Sequence, residues 1–107
     1  MSWHDYQKDA FRTSSKDKTD KGLLISALGL AGETGEVIEL IKKNVGHGHP
    51  MDYAKMEKEL GDCLWYIADI ATRMGLSLTQ IAYGNIAKLK ERYPEGFSEE
   101  ASRNRTE

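Results

Sequence analysis

The segment from Gly22 to Lys43 constrains this chain more than any other. Its apolar residues, among them Leu23, Leu24, Leu28, Leu30, Val37, Ile38, Leu40 and Ile41, recur at helical intervals around the whole circumference instead of along one stripe. A helix that is apolar all round must be covered on all sides, so the pattern predicts a central element. The chain has 107 residues, enough for one compact domain over 1–107 with one core. Three further helices give limited cover to such a rod, which predicts an oligomer of identical chains.

The flanking elements follow from start and stop signals. Ser2 and Asp5 have capping-box spacing and predict a first helix from about Trp3 to Thr13. Ser14 to Lys21 is polar and charged and reads as a connection. Lys42 and Lys43 suit the negative end of the second helix's dipole, followed by a loop from Asn44 through Pro50. Asp52 suits the opening turn of a third helix, about Met51 to Met74, closed by Gly75. Ser77 and Gln80 open a fourth helix reaching Arg92, and the tail from 94 to 107 reads as irregular. Alternating β-branched strands between turns are missing. The fold class is all-α, a four-helix, bundle-like arrangement around a central antiparallel helical hairpin.

Composition narrows the function. Lys and Arg total 15 against 17 Asp and Glu, with no basic block, which argues against a nucleic-acid partner. The longest nearly apolar stretch, Gly22 to Gly32, is about half a membrane span, and MSWHDYQK lacks a signal-peptide pattern. A cytoplasmic location without a membrane partner is expected. The single cysteine, Cys63, excludes an internal disulfide and reads as a small core residue.

Four acids stand out. Glu33 and Glu36 are three apart on the second helix, and Glu59 and Asp62 three apart on the third, so each pair shares a face. Reflection about the middle of the 44–51 loop puts Glu33 level with Asp62 and Glu36 level with Glu59. Helix axes about 8–10 Å apart then let the carboxylates converge on shared cations. None of the four has a basic residue four positions later, as surface acids often do. Gly32, Gly35 and Gly61 flank them inside helices, each at a cost of about 0.8–1 kcal/mol relative to Ala, which predicts close approach of a helix or ligand there. All-oxygen ligation favours Mg²⁺, with Mn²⁺ as the alternative. Glu39 with Lys43, and Asp69 with Arg73, read instead as surface ion pairs.

With its words AGETGEV, KELGDCLWY (58–66) and NIAKLKERYPEGF (85–97), the chain resembles the MazG-like all-α nucleoside triphosphate pyrophosphohydrolases. Their signature is Glu-x-x-Glu, a spacer, then Glu-x-x-Asp, and the likeness runs from about Tyr6 to Arg103. The resemblance implies hydrolysis of a (deoxy)nucleoside triphosphate to monophosphate and pyrophosphate, with removal of noncanonical nucleotides as one role. It also implies Mg²⁺ on Glu33, Glu36, Glu59 and Asp62, and a homodimer or dimer of dimers. Late-helix Asn85 and Lys88 then hold phosphates, and Arg92 shares their face. Tyr66, on the acid stripe, is the candidate for nucleoside contact. Trp3, Tyr6 and Gln7 offer a second face for the base, Trp65 reads as core or interface, and His47 and His49 read as solvated loop. Tyr93 and Phe97 are expected to anchor the tail. The competing reading is a noncatalytic helical oligomerisation module whose acids set pairing register.

Overall fold

The computed structural model describes residues 1–104 and is helical throughout, with no strand among them. Helix α1 spans Trp3–Phe11, α2 Asp20–Ile41, α3 Tyr53–Arg73, α4 Leu78–Arg92 and α5 Glu99–Arg103. The expected caps form. Ser2 and Asp5 close the reciprocal box on α1, and the Asp52 and Ser77 side chains accept from the Lys55 and Gln80 amides. Gly75 ends α3 at a φ of +71°, where the Leu76 amide bonds back to the Ala71 carbonyl at 2.8 Å, a left-handed cap that glycine adopts without strain.

Three expectations need correction. Helix α2 does not give way to a loop at Asn44 but continues through a π-helical turn, Lys42–Gly46. The bend beyond it is closed by the Asn44 side-chain amide, which donates to the His49 carbonyl at 2.7 Å. The tail is not wholly irregular, because Ser98 caps the five-residue α5 through the Ala101 amide; positions 105–107 lie outside the described residues. Most consequentially, α2 is not central within one chain. Helix α3 takes that place, packing α2 on one side and α1 on the other, while α4 lies on α1.

The core is correspondingly thin. Ala10, Ala68 and Leu78 form its buried cluster, with Tyr6 and Trp65 packed against it. Small side chains let α1 lie close to α3, and the Trp65 indole N–H is spent on the Ala10 carbonyl and the Thr13 hydroxyl, each at 3.0 Å. The Gln7 amide bridges the Thr72 hydroxyl and the Leu76 carbonyl while its oxygen accepts from the Leu78 amide. Gln7 therefore pins the start of α4 to α1, and Trp65 ties α3 to the end of α1. The outer side of α2 stays bare, with Leu28 63% exposed and Leu24, Ile25 and Ile38 similar.

Candidate metal centre

The hairpin has the register that its loop implied. Gly29 faces Tyr66 and Gly22 faces Arg73, and the Ser26 hydroxyl donates to Asp69 Oδ2 at 2.7 Å. Each step of three or four residues back along α2 is matched by the same step forward along α3. The same rule carried one turn further brings the acids together. Glu33, Glu59 and Asp62 each offer a carboxylate oxygen within 4.8 Å of the others. Glu36 lies one turn beyond Glu33, exposed and outside that tight group.

The electrostatics of this group are those of uncompensated like charge. Glu33 shares a hydrogen bond with Glu59 that pushes its carboxyl above the ordinary range; desolvation and the charges of Asp62, Glu59 and Glu36 push the same way. A carboxyl that shares a hydrogen bond with a second carboxylate holds on to its proton, and all-oxygen donors at this spacing suit a hard divalent ion.

The other candidates fall at different places. Tyr66 lies on the same seam, its ring against the backbone of Gly29 so closely that a Cβ there would collide with it, and edge-on to Trp65 with centroids 5.0 Å apart. Asn85 and Lys88 are exposed on α4 and Arg92 is half-buried; that helix packs on α1. Tyr6 is near enough to Asp62 to feel its charge, although burial is the larger reason its phenol is raised. It also lines a cavity of about 400 Å³ with Trp3 and Tyr83. His47 and His49 are exposed in the bend. Tyr93 and Phe97 make a tilted ring contact with centroids 5.4 Å apart, but Phe97 is 75% exposed, so the contact stays within the tail and does not anchor it to the core as expected.

Two readings are corrected here. Among the described residues, no other helix of the chain comes within 4 Å of a Cβ built at Gly32, Gly35 or Gly61, so the close approach of a helix expected there is not made within one chain. The glycines that allow close approach are Gly22, beneath the Arg73 guanidinium and the Asp17 carbonyl, and Gly29, beneath Tyr66. Asp69 and Arg73 do pair, at 2.8 Å, but the pair is buried, with side chains only 2% and 8% exposed. Arg73 also donates to the Ser14 hydroxyl, the Ser15 carbonyl and the Asp17 carbonyl, so it clasps the α1–α2 connection onto α3. An Asp and Arg four apart look alike in sequence on a surface or in a core. The available signal was Ser26, a hydroxyl within the apolar run from Gly22 to Gly32 of α2, at the mirrored position. Glu39, by contrast, is half-exposed and pairs loosely with Lys42 and Lys43 at 3.9 and 4.0 Å.

The profile of the MazG nucleotide pyrophosphohydrolase domain matches residues 23–97, a span that contains all four acids, Tyr66 and the length of α4. The chain belongs to the MazG nucleotide pyrophosphohydrolase family. It is similar to the Gene 37 protein of Mycobacterium phage L5, 30% identical over 89 residues that cover 79% of this chain and 78% of that protein. No solved structure matches. The all-helical architecture agrees with MazG membership, and no helix among the described residues is long and apolar enough to cross a membrane.

Proposed function

We propose that the chain is a Mg²⁺-dependent pyrophosphohydrolase that converts a (deoxy)nucleoside triphosphate to the monophosphate and pyrophosphate in the cytoplasm. The observation that carries this reading is the convergence of Glu33, Glu59 and Asp62 within 4.8 Å on a MazG hairpin. Those three carboxylates, completed by Glu36, would hold Mg²⁺ or Mn²⁺. A bound cation supplies neutralisation of phosphate charge and activation of the attacking water. The chain's own part is to concentrate negative charge where the cation and phosphates meet, and to fix its geometry through the rigid α2–α3 register. Water adds at phosphorus, the phosphoanhydride P–O bond breaks, and pyrophosphate leaves with that oxygen. Asn85, Lys88 and Arg92 are assigned to the phosphate chain and Tyr66 to the nucleoside.

Chain shape supports assembly into a homodimer or dimer of dimers. The radius of gyration is 16.9 Å where a compact domain of about this length has about 13 Å. The accessible surface is 8176 Å², against roughly 6,000 Å² for a compact protein of this mass. The surplus is enough for a large interface, and the bare face of α2 is where it would form. Light scattering should return at least twice the chain mass.

The deciding experiment is pyrophosphate release across a nucleotide panel with and without Mg²⁺. Release that needs the cation and disappears in Asp62→Asn, with the fold intact, is expected. No turnover of any nucleotide, with the variant altering only assembly, would leave a helical oligomerisation module.

A further inference from the structure

Helix α4 is held to its own chain chiefly at its start. Leu78 is buried in one cluster with Ala10 and Ala68, and its amide donates to the Gln7 side chain. The face that Leu78 opens continues through Ala82, Asn85 and Leu89 at helical intervals, but its cover runs out. Ile81 and Leu89, four residues either side of Asn85, are 41% and 37% exposed, Ile86 is 50% exposed, and Asn85 itself lies at the surface. Helix α4 packs on α1 and makes no comparable contact with α2 or α3 among the described residues.

The carboxylates lie on the far side of α3 from this helix. The cavity bounded by Trp3, Tyr6, Leu64, Thr79 and Tyr83 sets the first turns of α4 beside Leu64. At about 100° per residue, Leu64 stands about 160° around α3 from Asp62 and about 140° from Glu59, the two acids that turn toward Glu33 of α2. The α3 rod, about 10 Å across, therefore separates α4 from the acids of its own chain. A second copy has a way to reach them. The bare surface of α2 runs from Leu24 and Leu28 round to Ile25, which lines the α2–α3 seam together with Tyr66, so a chain seated on that surface stands beside the acids. Lys88, Lys90 and Arg92 make the end of α4 cationic, the sign that a cluster of carboxylates and a phosphate chain both attract.

We propose that each metal centre is completed in trans: the partner's α4 brings Asn85, with Lys88 and Arg92 beside it, to the phosphates held at Glu33, Glu59 and Asp62 of the other copy. The inference rests on the nucleotide reading above and adds which chain supplies the phosphate contacts. Two-fold symmetry makes the exchange mutual, so a dimer holds two such sites and a lone chain holds none that is complete.

Complementation between two disabled chains tests this. Asp62→Asn removes a carboxylate from the cation site, and Asn85→Asp, at a surface position, sets a negative charge against the phosphates. Each alone should weaken Mg²⁺-dependent binding of inorganic pyrophosphate, followed by calorimetry, at least about tenfold. When the two full-length chains are coexpressed with different tags and purified through both, the acids of the Asn85→Asp chain meet the intact α4 of the Asp62→Asn chain. Random pairing then restores about a quarter to a half of the parent's pyrophosphate sites at parental affinity, and the same fraction of its pyrophosphate release. If the phosphate contacts came from the same chain, every mixed site would carry one lesion and neither signal would return. Should circular dichroism or light scattering show that Asn85→Asp does not fold or assemble, Lys88→Gln takes its place. No recovery in folded, assembled mixtures, undiminished pyrophosphate binding by the α4 variant, a parent that binds no pyrophosphate, or a parent that scatters light as a single chain would each overturn the proposal. Recovered binding with a parent that hydrolyses no nucleotide would sink the hydrolase reading alone, and hydrolysis by the parent without recovery would sink the exchange alone.

Discussion

Replacing Arg73 with Ala should be among the most damaging changes on the α3 surface, although the sequence offers it as one half of an ordinary i,i+4 ion pair. The substitution removes the 2.8 Å bond to Asp69 Oδ2. It also strips the Ser14 hydroxyl and the Ser15 and Asp17 carbonyls of their guanidinium donor. The Asp69 charge stays behind in a site only 2% exposed. Breaking a buried pair from one side costs about 3–5 kcal/mol, against about 0–1 kcal/mol for an exposed pair. At roughly 4–8 °C per kcal/mol for a domain of about this size, the melting temperature should fall by at least about 12 °C. Urea unfolding at fixed protein concentration measures the loss, fixed because assembly couples stability to concentration. The pH dependence gives a second check. Desolvation raises the Asp69 pKa, but hydrogen bonds from Ser14, Arg73 and Ser26 and the guanidinium charge outweigh it and hold the value below the usual 3.8. Its stabilising contribution is therefore present above 3.8 and lost as the pH falls through the lower folded value. The gap between Arg73→Ala and the parent should narrow in acid. A loss under about 1 kcal/mol, or a gap that widens in acid, would refute the buried clasp.

Gly29→Ala should destabilise by about 1–3 kcal/mol because the new methyl collides with the Tyr66 ring. Gly32→Ala, with open space around it, should gain up to about 1 kcal/mol in helix propensity; denaturation midpoints separate the two, and a loss at Gly32 would mean that a partner copy packs there. Glu39→Gln removes only long, half-exposed contacts to Lys42 and Lys43 and should change stability by less than about 1 kcal/mol in the same assay.

Much of this architecture was readable from residues alone, for a physical reason in each case. Capping side chains act locally, so Ser2, Asp52 and Ser77 marked their helix starts. A short bend fixes antiparallel register, so the mirrored acids could be paired before any coordinates, and Gly29 with Tyr66 and Ser26 with Asp69 follow that register. What failed depends on burial, which local pattern does not encode. The apolar circumference of α2 signalled a need for cover without saying that α3 would supply only one side of it. The glycines beside the acids drew attention for their propensity cost, while those that admit a neighbour, Gly22 and Gly29, sit where Arg73 and Tyr66 cross the seam. Asp69 and Arg73 could be paired by spacing, but their burial needed the α1–α2 connection folded over them.

Cation binding by the carboxylate group tests the account most directly. Titration of Mn²⁺ into the full chain, followed by its paramagnetic resonance signal, should show bound ion that Mg²⁺ displaces. Glu59→Gln and Asp62→Asn should each weaken that binding at least tenfold while the helical spectrum is retained. Equal Mn²⁺ affinity in the parent and both variants would mean that Glu33, Glu59 and Asp62 do not form the ion site on which the catalytic reading stands.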